Sequence, residues 1–212
     1  IIVKDNIIIG TGYHSKPGEY HAERNAIDNV IDNGYDINYS DIYITLEPCS
    51  HYGKTPPCCE LLCKYKFNKV YIALKDPDAK VCGNGIQYLK NNNFNVITGL
   101  LYDKAYNSLR PYLYNRIFNK PYIILKAALS LDSKIAAFDK SSNWISCEES
   151  RNDVHLIRSQ SQAILVGVNT CLSDNPKLNI RLDDNINYKQ PIRIVLDSYG
   201  KLNDINSVSY TH

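Results

Sequence analysis

The chain has 212 residues, of which 44% are hydrophobic and 22% charged, and a formal net charge of +2. Those values suit a globular protein of two domains and argue against a disordered chain, a basic nucleic-acid binder or a polybasic membrane-surface protein. No run of 18 apolar residues occurs, so no transmembrane helix is expected, and the opening Ile1-Ile2-Val3-Lys4-Asp5 lacks a signal-peptide pattern. Seven cysteines, an odd count that includes the adjacent Cys58-Cys59, fit a reducing cytoplasm better than a disulfide framework.

In chain order, two short apolar runs around Ile1-Val3 and Ile7-Gly10 read as a hairpin closed by an Asp5-Asn6 turn. A loop with a Pro17-Gly18 turn leads to a helix over 21–33, whose apolar stripe is Ala22, Ala26, Ile27, Val30 and Ile31 and whose stop is Gly34. Residues 42–46 form a buried strand. Thr55 and Pro56 read as the cap and first position of a helix running to about 65. Strands over 69–74 and 94–98 alternate with helices over 85–90 and 101–114. Alternation of this kind predicts an α/β layered domain with a mostly parallel sheet. The boundary falls at Phe118-Asn119-Lys120-Pro121, which gives domains of 1–118 and 119–212. In the second, strands are expected at 122–129, 163–168 and 192–196, a helix capped by Ser146 with Glu149 as a capping box, and a turn at Ser173-Asp174-Asn175-Pro176.

The chemistry concentrates in His21-Ala22-Glu23 and in Pro48-Cys49 through Pro57-Cys58. One imidazole and two thiols make three zinc ligands. A structural site closes with four, whereas a catalytic site leaves the fourth position to water. Zinc lowers the pKa of such a water to about 7. Glu23, two residues from the His ligand, is then free to act as the proton shuttle. An H-x-E followed by P-C…C is the pattern of zinc nucleobase deaminases. His21, Glu23 and Cys58 all fall near helix starts, where the backbone favours anions and thiolates. The competing reading is a small zinc-stabilised fold, or reduced core cysteines beside a surface His. Cys59, Cys63, Cys82, Cys147 and Cys171 are expected to be packing residues.

Most such deaminases place two residues between the cysteines, whereas here eight intervene. The stretch Thr45-Leu46-Glu47-Pro48-Cys49-Ser50-His51-Tyr52-Gly53-Lys54-Thr55-Pro56-Pro57-Cys58 resembles the bifunctional riboflavin-biosynthesis deaminase/reductases. Pro121 through Asp132 resembles the opening strand of that family's reductase domain. The segments Ser142-Asn143-Trp144-Ile145, Leu165 through Thr170, Asp174-Asn175-Pro176 and Pro191 through Ser198 continue the likeness. The resemblance implies a cytidine-deaminase-like α/β/α domain followed by a dihydrofolate-reductase-like α/β domain. It implies zinc on His21, Cys49 and Cys58 with Glu23 catalytic, and deamination of 2,5-diamino-6-(ribosylamino)pyrimidinone 5′-phosphate. An NADPH-dependent reduction of the ribosyl group would follow. It carries Ala128, Trp144, Thr170, Asp174 and Ser198 to the NADPH site, and Ser142, Arg158, Leu178 and Arg181 to the substrate site. Two arginines suit a phosphate, which each can grip bidentately; a solvated surface Arg is the plain alternative, and Trp144 could equally be core. His51, Lys54 and Thr55 lie in the inter-cysteine loop, placed either to meet the ribose phosphate or simply as a surface loop.

The chain departs from the family pattern at Ser133, where Gly is usual, and at Asn84, where a basic residue is usual. It contains no Met and begins inside a strand. The resemblance places a helix and an Asn turn before this point, and a Gly-rich phosphate loop after His212. The sequence is therefore expected to be a fragment whose reductase half is truncated, and which deaminates better than it reduces. The rival readings are a tRNA or mononucleotide deaminase and a non-catalytic zinc-stabilised binding protein. The near-neutral charge opposes the tRNA partner. No nucleic-acid or membrane partner is expected; a homo-oligomer is compatible with the sequence.

Overall fold

The computed structural model describes residues 1–53, 55–138, 145–182 and 186–202. They divide into two compact units, Ile1–Ile124 and the residues from Leu125 onward.

The first unit is built on a five-stranded sheet. Strands β1 (Ile2–Lys4) and β2 (Ile7–Gly10) form the expected hairpin, with Lys4 opposite Ile7. Asp5 and Asn6 both take positive φ, 50° and 61°, as a two-residue primed turn requires. Strands β3 (Asp41–Leu46), β4 (Lys69–Leu74) and β5 (Val96–Thr98) complete the order β2-β1-β3-β4-β5. β3 pairs with β4 and β4 with β5 in parallel, while both pairings of β1 are antiparallel, so the sheet is mixed rather than mostly parallel.

Helices α1 (Ala22–Asp32), α2 (Cys58–Leu62) and α3 (Asn84–Asn91) pack on the sheet face that carries Ile42, Ile44, Val70 and Ile72. Ala26, Ile27 and Val30 from α1, Leu62 from α2 and Leu89 from α3 close this core, each at most 1% exposed. Burial of each of the larger side chains is worth roughly 1.5–3 kcal/mol against solvent. Ile31, expected on the apolar stripe of α1, is 52% exposed instead. Helix α4 (Tyr102–Phe118) packs on the end of β4, where Ala105 and Leu113 meet Leu74, with Leu46, Ala73, Leu109 and Tyr112 around them.

Helix α2 begins at Cys58, with Pro57 as its N-cap, rather than at Pro56 with Thr55 as cap. The reason is local: Pro56 precedes Pro57, and a residue before proline is pushed out of the helical region. Asn84, one of the two departures, is the exposed first residue of α3.

The second unit contains α5 (Glu148–Ser159), β6 (Ala163–Gly167), α6 (Val168–Asp174) and β7 (Ile192–Leu196). β6 and β7 pair in parallel, from Ala163 opposite Ile192 to Gly167 opposite Leu196. The N-cap of α5 is Cys147, one residue after the expected Ser146. The residues over 122–129 form no strand and are hydrogen-bonded into neither sheet among the described residues. The turn expected at 173–176 is instead the end of α6, with Asn175 as its left-handed C-cap (φ 40°). Ser133 holds a φ of 63°, so the backbone that Gly would favour persists on Ser, and its N–H donates to the Ser130 carbonyl at 2.9 Å.

Candidate metal centre

Three segments converge at one end of the first sheet. His21 is the N-cap of α1, with extended backbone (φ −71°, ψ 164°), and its carbonyl accepts from the N–H of Asn25 at 3.1 Å. Its side chain makes no cap hydrogen bond; the imidazole turns to the thiols instead. Cys49 lies three residues beyond the end of β3, and Cys58 opens α2. The start of α2 grips Cys49 directly: the Cys58 N–H donates to Cys49 Sγ at 3.3 Å, and the Cys59 N–H donates to the Cys49 carbonyl at 3.1 Å.

His21 Nδ1 stands 3.3 Å from Cys58 Sγ and 3.5 Å from Cys49 Sγ, and the three donor atoms lie within 4.8 Å of one another. A tetrahedral zinc with Zn–N of about 2.0–2.1 Å and Zn–S of about 2.3 Å would set its ligands roughly 3.5–3.8 Å apart. The donor set and its spacing therefore fit zinc, and two sulfurs with one imidazole nitrogen disfavour magnesium or calcium. Among the described residues this is the one group of metal-ligating side chains, and Glu23 is not part of it.

Glu23 sits in the first turn of α1, 8% exposed. Burial raises its pKa above the ordinary carboxylate value, and its own backbone N–H partly offsets that. A hydrogen bond from the Cys58 thiol brings Cys49 down to about 5, while the same bond and burial raise Cys58. A thiol must lose its proton to ligate a metal, and the lowered Cys49 is the one already inclined to do so.

The inter-cysteine loop is pinned by Tyr52, whose hydroxyl donates to Glu60 Oε2 at 2.6 Å. His51 is exposed and Thr55 half-buried, and neither belongs to the metal-ligating group. Lys54 lies outside the described residues. Cys59 and Cys171 are buried and Cys63 half-buried, as packing residues should be, but Cys82 and Cys147 are exposed because a turn and a helix cap carry them at the surface. All seven cysteines are free.

In the second unit, Arg158 and Arg181 come together around Asn179. Arg158 Nη1 donates to the Asn179 carbonyl at 2.6 Å, and Arg181 Nη1 donates to Asn179 Oδ1 at 2.5 Å. Burial and then Arg181 lower the pKa of Arg158, and its buried Nε has no hydrogen-bond partner among the described residues. Leu178 is buried with a φ of 50°. Thr170 and Asp174 are exposed on α6, Ser198 is exposed beyond β7, and Ala128 is half-buried in the irregular segment. Ser142 and Trp144 lie outside the described residues.

Sequence reasoning missed three residues beside these sites. His14 packs edge-on against His21, with ring centroids 5.2 Å apart, and its Nδ1 is 3.1 Å from the Tyr20 carbonyl. Glu47 is 4% exposed beneath Cys49. His155 accepts the Arg181 N–H at 3.2 Å and approaches Arg158 Nη1 at 3.4 Å. Only His155 carried a signal: its i,i+3 spacing to Arg158 on one helix.

Residues 1–74 match the cytidine and deoxycytidylate deaminase zinc-binding region, and residues 121–209 match the RibD C-terminal domain. The chain is 47% identical over 203 residues to the riboflavin biosynthesis protein RibD of Chlamydia pneumoniae, covering 95% of this chain and 53% of that protein. It is 38% identical over 218 residues to the protein of that name from Escherichia coli (strain K12), covering 98% and 59%. A crystal structure of a diaminohydroxyphosphoribosylaminopyrimidine deaminase/5-amino-6-(5-phosphoribosylamino)uracil reductase from Thermotoga maritima superposes with a TM-score of 0.88 at 38% identity, covering 95% of this chain and 56% of that one. Acinetobacter baumannii RibD gives 0.85 at 38% identity, covering 98% and 58%. The chain spans about half the length of these relatives. Over that half the fold and the sequence agree: the chain is similar to the riboflavin-biosynthesis deaminase/reductases, with a match to a deaminase zinc-binding region followed by a match to the RibD C-terminal domain.

Proposed function

We propose that the part spanning 1–118 hydrolyses an exocyclic amine from 2,5-diamino-6-(ribosylamino)pyrimidinone 5′-phosphate, and that 119–212 contributes to the NADPH-dependent reduction of the ribosyl group that follows. The observation that carries the first reading is the three-donor group of His21, Cys49 and Cys58 beside a buried carboxyl that is not among the donors. Zinc, when bound there, supplies a Lewis acid that brings a coordinated water's pKa to about 7. Glu23 takes one proton of the attacking water and delivers it to the ring nitrogen as the C–O bond forms, then takes the hydroxyl proton of the adduct and delivers it to the amine, which leaves as ammonia as the C–N bond breaks and the carbonyl forms. A purely structural zinc site has no use for such a group. His51, Lys54 and Thr55 are the inter-cysteine residues assigned to the ribose phosphate.

For the second part, the unpartnered Nε of Arg158 beside Arg181 supports a phosphate contact. Ser142 and Leu178 complete the substrate set, and Ala128, Trp144, Thr170, Asp174 and Ser198 the NADPH set. Among the described residues no helix is long and apolar enough to cross a membrane. Free cysteines throughout support a cytoplasmic location, and the net charge of +2 opposes a nucleic-acid partner.

The test is ammonia release from the phosphorylated diaminopyrimidine, with and without a zinc chelator. Release that stops with chelation and returns with zinc supports the reading; release indifferent to the metal overturns it. Oxidation of NADPH, followed by absorbance with the deaminated intermediate supplied, tests the second activity separately.

A further inference from the structure

Glu47 is a buried acidic side chain that the deamination chemistry does not use. Its two carboxyl oxygens accept four backbone N–H groups from another part of the chain. Oε2 accepts from Asp76 at 3.2 Å and Gly83 at 2.9 Å, and Oε1 accepts from Gly85 at 2.9 Å and Ile86 at 3.1 Å. Gly85 and Ile86 are in the first turn of α3, so the carboxyl also satisfies N–H groups that the helix leaves unpaired and complements its dipole. The Glu47 N–H meanwhile donates to the Leu74 carbonyl at 2.8 Å, continuing the β3–β4 pairing. Glu47 is therefore fixed at both backbone and side chain, two residues before Cys49.

The same anchor reaches the other thiol. Gly85 lies so close to the chain after Glu47 that a Cβ there would overlap the Pro48 carbonyl and stand 3.2 Å from both Cys59 Sγ and Glu47 Cγ. Cys59 Sγ is 3.4 Å from the Pro48 carbonyl and 3.6 Å from that of Gly85. Cys59 follows Cys58, and its N–H holds the Cys49 carbonyl. The turn that bears Cys49 and the helix start that bears Cys58 are thus both registered against the segment that Glu47 clamps.

We propose that Glu47 is a positioning residue of the metal site, holding Cys49 and Cys58 at metal-ligand separation before the ion arrives. This rests on the zinc reading of His21, Cys49 and Cys58. Glutamine in its place keeps one strong acceptor and turns an NH2 toward N–H donors, leaving two of the four N–H groups unsatisfied. Aspartate keeps both acceptors but withdraws them by one methylene.

The experiment titrates the whole chain with zinc against a chromophoric chelator, comparing wild type, Glu47→Gln, Glu47→Asp and the core truncation Ile42→Ala at the far end of β3. Each protein is also loaded with Co2+ and its thiolate charge-transfer and d–d bands recorded. The expected result is zinc affinity about 10–100-fold weaker in Glu47→Gln, an intermediate loss in Glu47→Asp, and altered Co2+ bands in both. Ile42→Ala should lose thermal stability but keep wild-type affinity and bands. Wild-type affinity and bands in Glu47→Gln, or a loss matched by Ile42→Ala, overturns the inference. If Glu47→Gln does not fold, Glu47→Asp decides: unchanged affinity and bands there overturn it. Wild type that binds no zinc removes the metal reading itself and this inference with it, which is a different outcome from wild type binding zinc while the variants bind equally well.

Discussion

His21 Nδ1 and Cys58 Sγ lie 3.3 Å apart although 37 residues separate them in the chain. What joins them is the sheet. α1 and α2 both begin at the same sheet end, and β3 delivers Cys49 between them. If these three side chains are ligands, zinc content falls below one per chain in Cys49→Ser or Cys58→Ser. Elemental analysis of the purified proteins checks this. Full zinc retention in the double variant would show that the thiols are not ligands.

Gly85 faces the Pro48 carbonyl with no room for a side chain. Gly85→Ala is expected to destabilise the first unit by about 1–3 kcal/mol, the usual cost of overpacking. It should also weaken zinc binding, because the displaced segment carries Cys49. Denaturant unfolding followed by circular dichroism measures the first effect, and an unchanged midpoint would contradict the packing described.

Much of this was legible in sequence. Lys69–Leu74 and Ile192–Leu196 are apolar β-branched runs bounded by turn residues, and both strands occur at the expected ends. The spacing His21-Ala22-Glu23 with Cys49 and Cys58 marked the site because each ligand type is rare and chemically specific. Glu47 was not legible as a clamp. A single Glu before Pro48 has no periodicity, and its partners are 29 to 39 residues away. Helix α6 was hidden by Ser173-Asp174-Asn175-Pro176, whose turn residues end the helix rather than exclude it. The strand expected over 122–129 failed for the opposite reason. Composition marks a segment as able to pair, but a ladder needs a neighbour.

Ser133 holds a left-handed φ of 63° that a side chain disfavours. Ser133→Gly is expected to stabilise the second unit by about 0.5–1 kcal/mol, relief of left-handed strain exceeding the entropy glycine loses. Calorimetry of the two proteins checks this, and a lower melting temperature in the glycine variant would contradict it.

His155 accepts the Arg181 N–H at Nδ1, so the neutral ring is the form that fits. Burial first, then Arg158 and Arg181, lower its pKa below 6.5. The sign follows: the unfolded chain takes up this proton first. The contribution to stability is therefore present above 6.5 and is lost as pH falls through 6.5 toward the lower folded value. An NMR titration of the His155 ring should show a midpoint below 6.5 and an unprotonated Nδ1 at pH 7. A midpoint above 6.5 would contradict the contact.

The central claim is that Glu23 moves protons and does not hold metal. The direct measurement is zinc content and ammonia release, side by side, for wild type and Glu23→Gln. The account predicts about one zinc per chain in both proteins and deamination slower by on the order of 10²-fold or more in the Gln variant. Loss of zinc in Glu23→Gln, or deamination at the wild-type rate, would contradict it.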